Sequence, residues 1–137
     1  MSEDCIFCKI VRKETSASIV YEDEHVLAFM DIRPVSEGHT LVIPKQHFAD
    51  IFEIPEKLNA FTNRVVKKVA IAVKKATNAD GVSIIQQNGR AANQDVFHLH
   101  VHIIPRVEGQ ATPRFTDLFV VSREQLDVAA AKIKRCF

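Results

Sequence analysis

The sequence predicts an α+β fold, an antiparallel sheet with one long helix packed on it and a shorter C-terminal helix. Three observations lead there. Five short apolar segments are bounded by turn residues. Apolar residues recur at i, i+3, i+4 spacing in one long stretch, from Leu58 to Ala76. Strands outnumber helices, and mostly short turns join them, which favours antiparallel pairing.

The elements follow in order. Ser18 to Glu22 and Val26 to Met30 read as two strands joined by the polar turn Asp23-Glu24-His25. After a loop with Pro34, Ser36 and Gly38, Thr40 to Ile43 is a third strand, closed by Pro44. Pro55 suits a helix first turn, and Asn78 to Gly81 carries the turn chemistry that ends the long helix. Val82 to Gln87 is a fourth strand, with Asn88-Gly89 opening a turn. Val96 to Ile104 is a fifth, stopped by Pro105. Leu118 to Val121 is a short extended piece. Ser122 caps the last helix, with Gln125 placed to complete a capping box.

A chain of 137 residues suits one domain, here residues 1–137, with one core. A net charge of +1 gives no field to draw in nucleic acid or a membrane surface. The basic pairs Lys67–Lys68 and Lys74–Lys75 read as solvated helix faces. No segment approaches the ~18 apolar residues that span a bilayer. The acidic start Met1-Ser2-Glu3-Asp4 does not read as a signal peptide. The expected location is the cytoplasm, with reduced thiols. Three cysteines also argue against a disulfide framework. Cys5 and Cys8 stand as C-x-x-C, a spacing that suits one metal ion or a redox pair, and Cys136 reads as a bystander.

The chemistry concentrates in residues 97–105, Phe-His-Leu-His-Val-His-Ile-Ile-Pro. On a strand, His98, His100 and His102 would share one face, with alternate Cα atoms about 6–7 Å apart. Leu99, Val101 and Ile103 would share the other and fix the register against the core. Such a row fits a solvated face, a metal site or nucleophilic and acid–base catalysis. A single ion is awkward, because the outer two positions lie about 13 Å apart. An imidazole nitrogen can attack phosphorus while a neighbour delivers a proton near neutral pH. The chain has no G-x-x-x-x-G-K-[ST] and no carboxylate cluster for magnesium, and a mechanism carrying its own nucleophile needs neither.

His98-Leu99-His100-Val101-His102-Ile103-Ile104 resembles the signature of the histidine-triad (HIT) family. Cys5-Ile6-Phe7-Cys8-Lys9-Ile10 resembles the start of its bacterial-type, Hint-like branch. Tyr21-Glu22-Asp23, Ala28 to Ile32, Gly38 to Lys45, Asn88-Gly89 and Gln94 follow in the family order. The resemblance covers residues 5 to about 106.

It implies a HIT fold, a five-stranded antiparallel sheet with a long helix, usually paired into a homodimer. It implies a purine nucleotide substrate, with His100 as the nucleophile that forms a nucleotidyl-histidine intermediate. His102 would assist the leaving group, and His98 would support. Asp31 would bind the ribose hydroxyls, which suits a carboxylate's two acceptor oxygens. Phe7, Ile10 and Ile32 would pack on the base, although each also reads as plain core, and Asp31 also reads as a turn former. Asn88, Gln94 and Asp95 match phosphate-contacting positions. His39 reads either as a partner of the triad or as a residue that starts a strand. A structural zinc on Cys5, Cys8, His47 and His98 is implied, with no organic cofactor.

The activity implied is a nucleoside 5′-phosphoramidate hydrolase releasing AMP or GMP. The alternatives are a dinucleoside polyphosphate hydrolase and a nucleotide-binding interaction module whose hydrolysis is incidental. Two departures stand before the triad. Asn93 replaces the family's glycine, and asparagine tolerates the left-handed conformation a glycine adopts. Asp95 replaces a hydroxyl residue, and a carboxylate there would repel phosphate. Thr15 also replaces an apolar residue of the base pocket.

Overall fold

A computed structural model gives the fold and describes residues 4–110 and 121–137. The elements are α1 (Ile6–Val11), β1 (Ile19–Glu22), β2 (Val26–Met30), β3 (Thr40–Pro44), α2 (Glu56–Thr77), β4 (Gly81–Gln86), a 3-10 turn at Arg90–Ala92, β5 (Val101–Arg106) and α3 (Arg123–Lys134). The strands form one sheet in the order β1-β2-β3-β5-β4, antiparallel throughout. The expected five-stranded antiparallel sheet, long helix and C-terminal helix are all present. Of the expected extended piece Leu118 to Val121, residues 118–120 lie outside the described residues.

Side-chain alternation divides the core between the sheet's two faces. Val26, Ala28 and Met30 of β2, Val42 of β3 and Val101 and Ile103 of β5 meet Val65, Val66, Val69, Ala72 and Val73 of α2. Leu126, Ala130 and Ile133 of α3 join the same cluster. Leu27 and Phe29 of β2 and Leu41 and Ile43 of β3 point the other way, where Phe7 and Ile10 of α1 cover them. Both faces of β2 and β3 are therefore apolar.

The helix ends follow from local chemistry. Asn78 ends α2 in the left-handed conformation, with φ 55°. Ser122 Oγ accepts a hydrogen bond from the Gln125 backbone N–H, and Gln125 Oε1 accepts one from the Ser122 backbone N–H, a complete capping box. Gly38 has φ +97°, and a Cβ there would meet the Thr77 methyl at 2.5 Å, so glycine alone lets this loop lie on α2.

The fifth strand differs from the expectation at both ends. It begins at Val101, because residues 96–98 bend and the Leu99 amide donates to the Phe48 carbonyl at 2.8 Å. It continues through Pro105, which pairs with Val82 of β4. The β3 ladder ends at Ile103, so a residue without an N–H is tolerated two positions on. The helix α1 has no counterpart in the sequence reading, since six residues are too few for a periodic signal.

Candidate active site and metal centre

The bend at 96–98 separates the three histidines. His102 lies within β5, opposite Leu41, and His100 lies just before that strand. His98 has left the strand face expected for it, and its ring turns towards the N-terminal cysteines. His100 and His102 remain neighbours, with ring centroids 5.0 Å apart.

Hydrogen bonds set the tautomers. A carbonyl only accepts, so His100 Nδ1 must carry the proton it shares with the His98 carbonyl at 2.8 Å. The lone pair of His100 is then on Nε2. The Val35 amide donates to His39 Nδ1 at 3.1 Å, which places the His39 proton on Nε2. From there it is donated to His102 Nδ1 at 2.9 Å. His102 therefore carries its own proton on Nε2. Burial is the main cause lowering all three pKa values, to about 3 for His39 and about 4 for His102, so the imidazoles are neutral at neutral pH.

Asp31 lies beside this pair. Its Oδ2 is 3.4 Å from His39 Nε2 and 4.0 Å from His102 Nδ1, while Oδ1 accepts the Arg33 amide at 2.8 Å. It is thus both the turn former and a neighbour of the histidine pair. Burial raises its pKa to about 6.

These groups open into a cleft of about 620 Å³. Phe7, Ile10, Phe29 and Leu41 form its apolar wall, and Asp31, Asp95, His100 and His102 supply polar groups. The Phe7 ring meets the His100 ring edge-on at 5.1 Å. Phe7 and Ile10 belong to the core and the cleft at once, whereas Ile32 is 60% exposed at the rim. Another groove, of about 750 Å³ beside α3, has no histidine or cysteine among its described lining. The combination of apolar wall, two carboxylates and neutral imidazoles marks the histidine cleft as the candidate site.

The loop before the triad is braced from a distance. Asn93 has φ 68°, the left-handed conformation expected of it, and lines the cleft. Asp95 also lines it. Its carboxylate is 77% exposed, accepts the Val96 amide at 2.8 Å and stands 3.6 Å from His100 Nε2. Gln94 is buried behind them, its amide oxygen on the Gly89 N–H and its amide nitrogen on the Ala49 and Val96 carbonyls. The Asn88 oxygen accepts from the Ile51 amide and the Gln86 side chain, and Gln87 rather than Asn88 lines the cleft. Arg33 and Gln87 on the wall were not anticipated; Arg33 could have been suspected from its place two residues after Asp31.

Cys5, Cys8, His47 and His98 converge on a second centre, with ligand atoms all within 4.8 Å of one another. Cys5 caps α1, and its sulfur is 3.4 Å from His98 Nδ1. The Cys8 sulfur is 3.4 Å from His47 Nδ1 and 3.6 Å from His98 Nδ1, and the two Nδ1 atoms are 3.2 Å apart. Bond lengths of about 2.0–2.1 Å to nitrogen and 2.3 Å to sulfur in a tetrahedron imply edges of about 3.3 Å and 3.6 Å. His98 Nε2 donates to the Pro44 carbonyl at 2.8 Å, which leaves Nδ1 as a lone pair aimed at the centre. The donor set fits a tetrahedral metal ion.

An α+β domain with neutral, hydrogen-bonded imidazoles at an apolar cleft is a protein of the histidine-triad class. The HIT domain family matches residues 12–109, and the chain belongs to it. A Hit-like protein from Bartonella henselae, described as involved in cell-cycle regulation, has a solved structure similar to this one. Its TM-score is 0.91 at 41% identity, over 100% of this chain and 99% of that one. A Zn-bound histidine triad family protein from Mycobacterium smegmatis has a TM-score of 0.86 at 35% identity, over 97% and 92% of the two chains. An Arabidopsis thaliana relative named adenylylsulfatase HINT3 is 42% identical over 108 residues, 79% of this chain and 55% of its own length.

Proposed function

We propose that this protein hydrolyses purine nucleotides at the α-phosphorus, with nucleoside 5′-phosphoramidates as its substrates. The observation that carries this reading is the His100 tautomer. The bond from Nδ1 to the His98 carbonyl leaves the Nε2 lone pair available beside the cleft, on an imidazole that burial keeps neutral.

His100 Nε2 attacks the phosphorus, and the bond from phosphorus to the leaving amine breaks as the amine gains a proton. His102, protonated on Nε2 and 5.0 Å away between ring centroids, supplies that proton. Water then attacks the nucleotidyl-His100, forming the new phosphorus–oxygen bond as the bond to His100 Nε2 breaks. The proton the water loses returns to His102 Nε2, and AMP or GMP leaves with both imidazoles neutral again. Phe7, Ile10 and Ile32 hold the base and Asp31 the ribose hydroxyls. The 93–95 turn, braced by Gln94 and by Asn88 behind it, meets the phosphate. His98 orients His100 through its carbonyl.

Cys5, Cys8, His47 and His98 would hold zinc, which closes the structure and leaves no open position for substrate. The protein would work as a cytoplasmic homodimer, without nucleic-acid or membrane partners. No helix among the described residues is long and apolar enough to cross a membrane.

The Arabidopsis relative's name adds adenylyl sulfate as a substrate to be tested. Rates on an adenosine phosphoramidate, diadenosine tetraphosphate and adenylyl sulfate, with wild type and His100→Asn, test the proposal. The phosphoramidate should turn over fastest, and only in wild type. Faster turnover of either other substrate would reassign the leaving group. Equal rates in the His100 variant would reject the mechanism.

A further inference from the structure

We infer that the Cys5–Cys8–His47–His98 set is a latch that positions the nucleotide cleft, so that the metal ion sets nucleotide affinity as well as stability. The inference rests on the nucleotide reading of the cleft given above.

The helix α1 has six residues, too few to persist on its own in water. The ligand sulfurs and the cleft wall share its turns. Cys5 caps it and Cys8 sits within it, while Ile6, Phe7 and Ile10 line the cleft. A displacement of α1 that opens the sulfur cluster therefore carries the Phe7 ring with it. That ring is edge-on to both a ligand and the proposed nucleophile, at 5.9 Å from His98 and 5.1 Å from His100.

A second connection runs through the chain of His98. Its imidazole faces the cluster, held there by the Pro44 carbonyl, while its own carbonyl fixes His100 Nδ1. The two Nδ1 atoms of His47 and His98 lie 3.2 Å apart with two sulfurs beside them. A cation gives these four donors one common partner. Without it, α1 is held to the sheet by the packing of Phe7 and Ile10 on Leu27, Phe29, Leu41 and Ile43, and to the bend at His98 by the neutral sulfur–imidazole contacts and the Phe7 ring. Cys5, Cys8, His47 and His98 are thus positioning residues, acting on the cleft through Phe7 and the His98 carbonyl.

The test uses the full chain, loaded with zinc or stripped by a chelator. AMP affinity is measured by calorimetry, amide hydrogen exchange at residues 6–11 and across the sheet, and kcat and KM on one phosphoramidate. Stripping should weaken AMP binding about tenfold or more, a typical coupling between sites. Exchange should rise at residues 6–11 while the sheet stays protected, KM should rise more than kcat falls, and added zinc should reverse all of it. Phe7→Ala, loaded, should lose a similar factor and become insensitive to stripping. Cys5→His, which restores a fourth donor, should retain zinc and AMP affinity.

Unchanged AMP affinity and unchanged exchange at α1 after stripping would overturn the latch. So would effects of Phe7→Ala and stripping that multiply, or loss of protection across the whole sheet, which would make the ion a global folding element. If loaded wild type binds no AMP, the nucleotide reading fails instead. Exchange at residues 6–11 and the His100 imidazole nitrogen resonances before and after stripping would then still decide the latch.

Discussion

His100 Nδ1 lies 2.8 Å from the carbonyl oxygen of His98, and this backbone contact decides which nitrogen of His100 carries the free lone pair. The acceptor is main chain, so a change of the His98 side chain does not remove it directly. Asparagine at position 100 can donate to the same carbonyl but has no basic nitrogen. His100→Asn should therefore fold normally and lose roughly a thousandfold or more in kcat, as removal of a nucleophile does. His102→Ala should cost less. Rapid quenching with labelled substrate should trap an acid-labile nucleotidyl adduct in wild type alone. An equal adduct yield in His100→Asn would place the nucleophile elsewhere.

Folding stability should rise with pH between about 4 and 6.5. Burial holds the folded-state pKa of His39 near 3 and of His102 near 4, below the ordinary histidine value, so the unfolded chain binds more protons in this window. Asp31 acts in the opposite sense. Its folded-state pKa of about 6 exceeds the ordinary carboxylate value, so its contribution falls as pH rises from about 4 to 6. Two histidines outweigh one carboxylate. Urea unfolding across this range should show the rise, and His39→Gln should flatten it. A flat wild-type profile would mean that these histidines are not buried neutral.

Much of this site was legible, and what was not has a common cause. The alternation at 101–103 put Val101 and Ile103 on the α2 side because both faces of β5 are read from adjacent residues. Asn93 was legible because its left-handed backbone depends on its own side chain. The departure of His98 was not, since it depends on a bond between the Leu99 amide and the Phe48 carbonyl far back in the chain. Gln94 and Asn88 likewise engage Ala49 and Ile51. His39 matched two readings until the Val35 amide and His102 were seen on its two nitrogens.

Protein purified without chelators should contain about one zinc per chain, given the closed set of two sulfurs and two nitrogens. The double variant Cys5→Ser, Cys8→Ser should lose it and melt at lower temperature, because the four ligand positions would join α1, the loop three residues past β3 and the bend before β5. Turnover at saturating substrate should fall only modestly, since His100 and His102 are not ligands. Metal analysis of wild type that finds no zinc would leave Cys5 and Cys8 as reduced thiols, Cys8 buried and Cys5 half-buried.

The strand β4 forms one edge of the sheet, and Ile84 on it is 53% exposed. An uncovered edge with an apolar side chain favours pairing, and a two-fold axis would join two sheets into one. A homodimer is expected, and Ile84→Lys should shift it towards monomer. Light scattering that reports a wild-type monomer at micromolar concentration would contradict the assignment.

Asp95 places a carboxylate 3.6 Å from His100 Nε2, at the position where the resemblance implies a hydroxyl residue. An anionic phosphate approaching that nitrogen meets a like charge. The carboxylate is well exposed, so the repulsion is moderated by water and by salt with a screening length of about 8–10 Å. Asp95→Ser should lower KM for a phosphoramidate several-fold at low salt. The gap between variant and wild type should narrow as ionic strength rises. Asp95→Asn, which removes the charge and keeps the shape, should behave like Asp95→Ser. If the hydroxyl donates to the phosphate or the departing atom, Asp95→Ser should in addition raise kcat, and Asp95→Asn should not. KM values that coincide for all three proteins at low salt would mean that the carboxylate stays on the Val96 amide and in solvent, and that the loop meets substrate through its backbone alone.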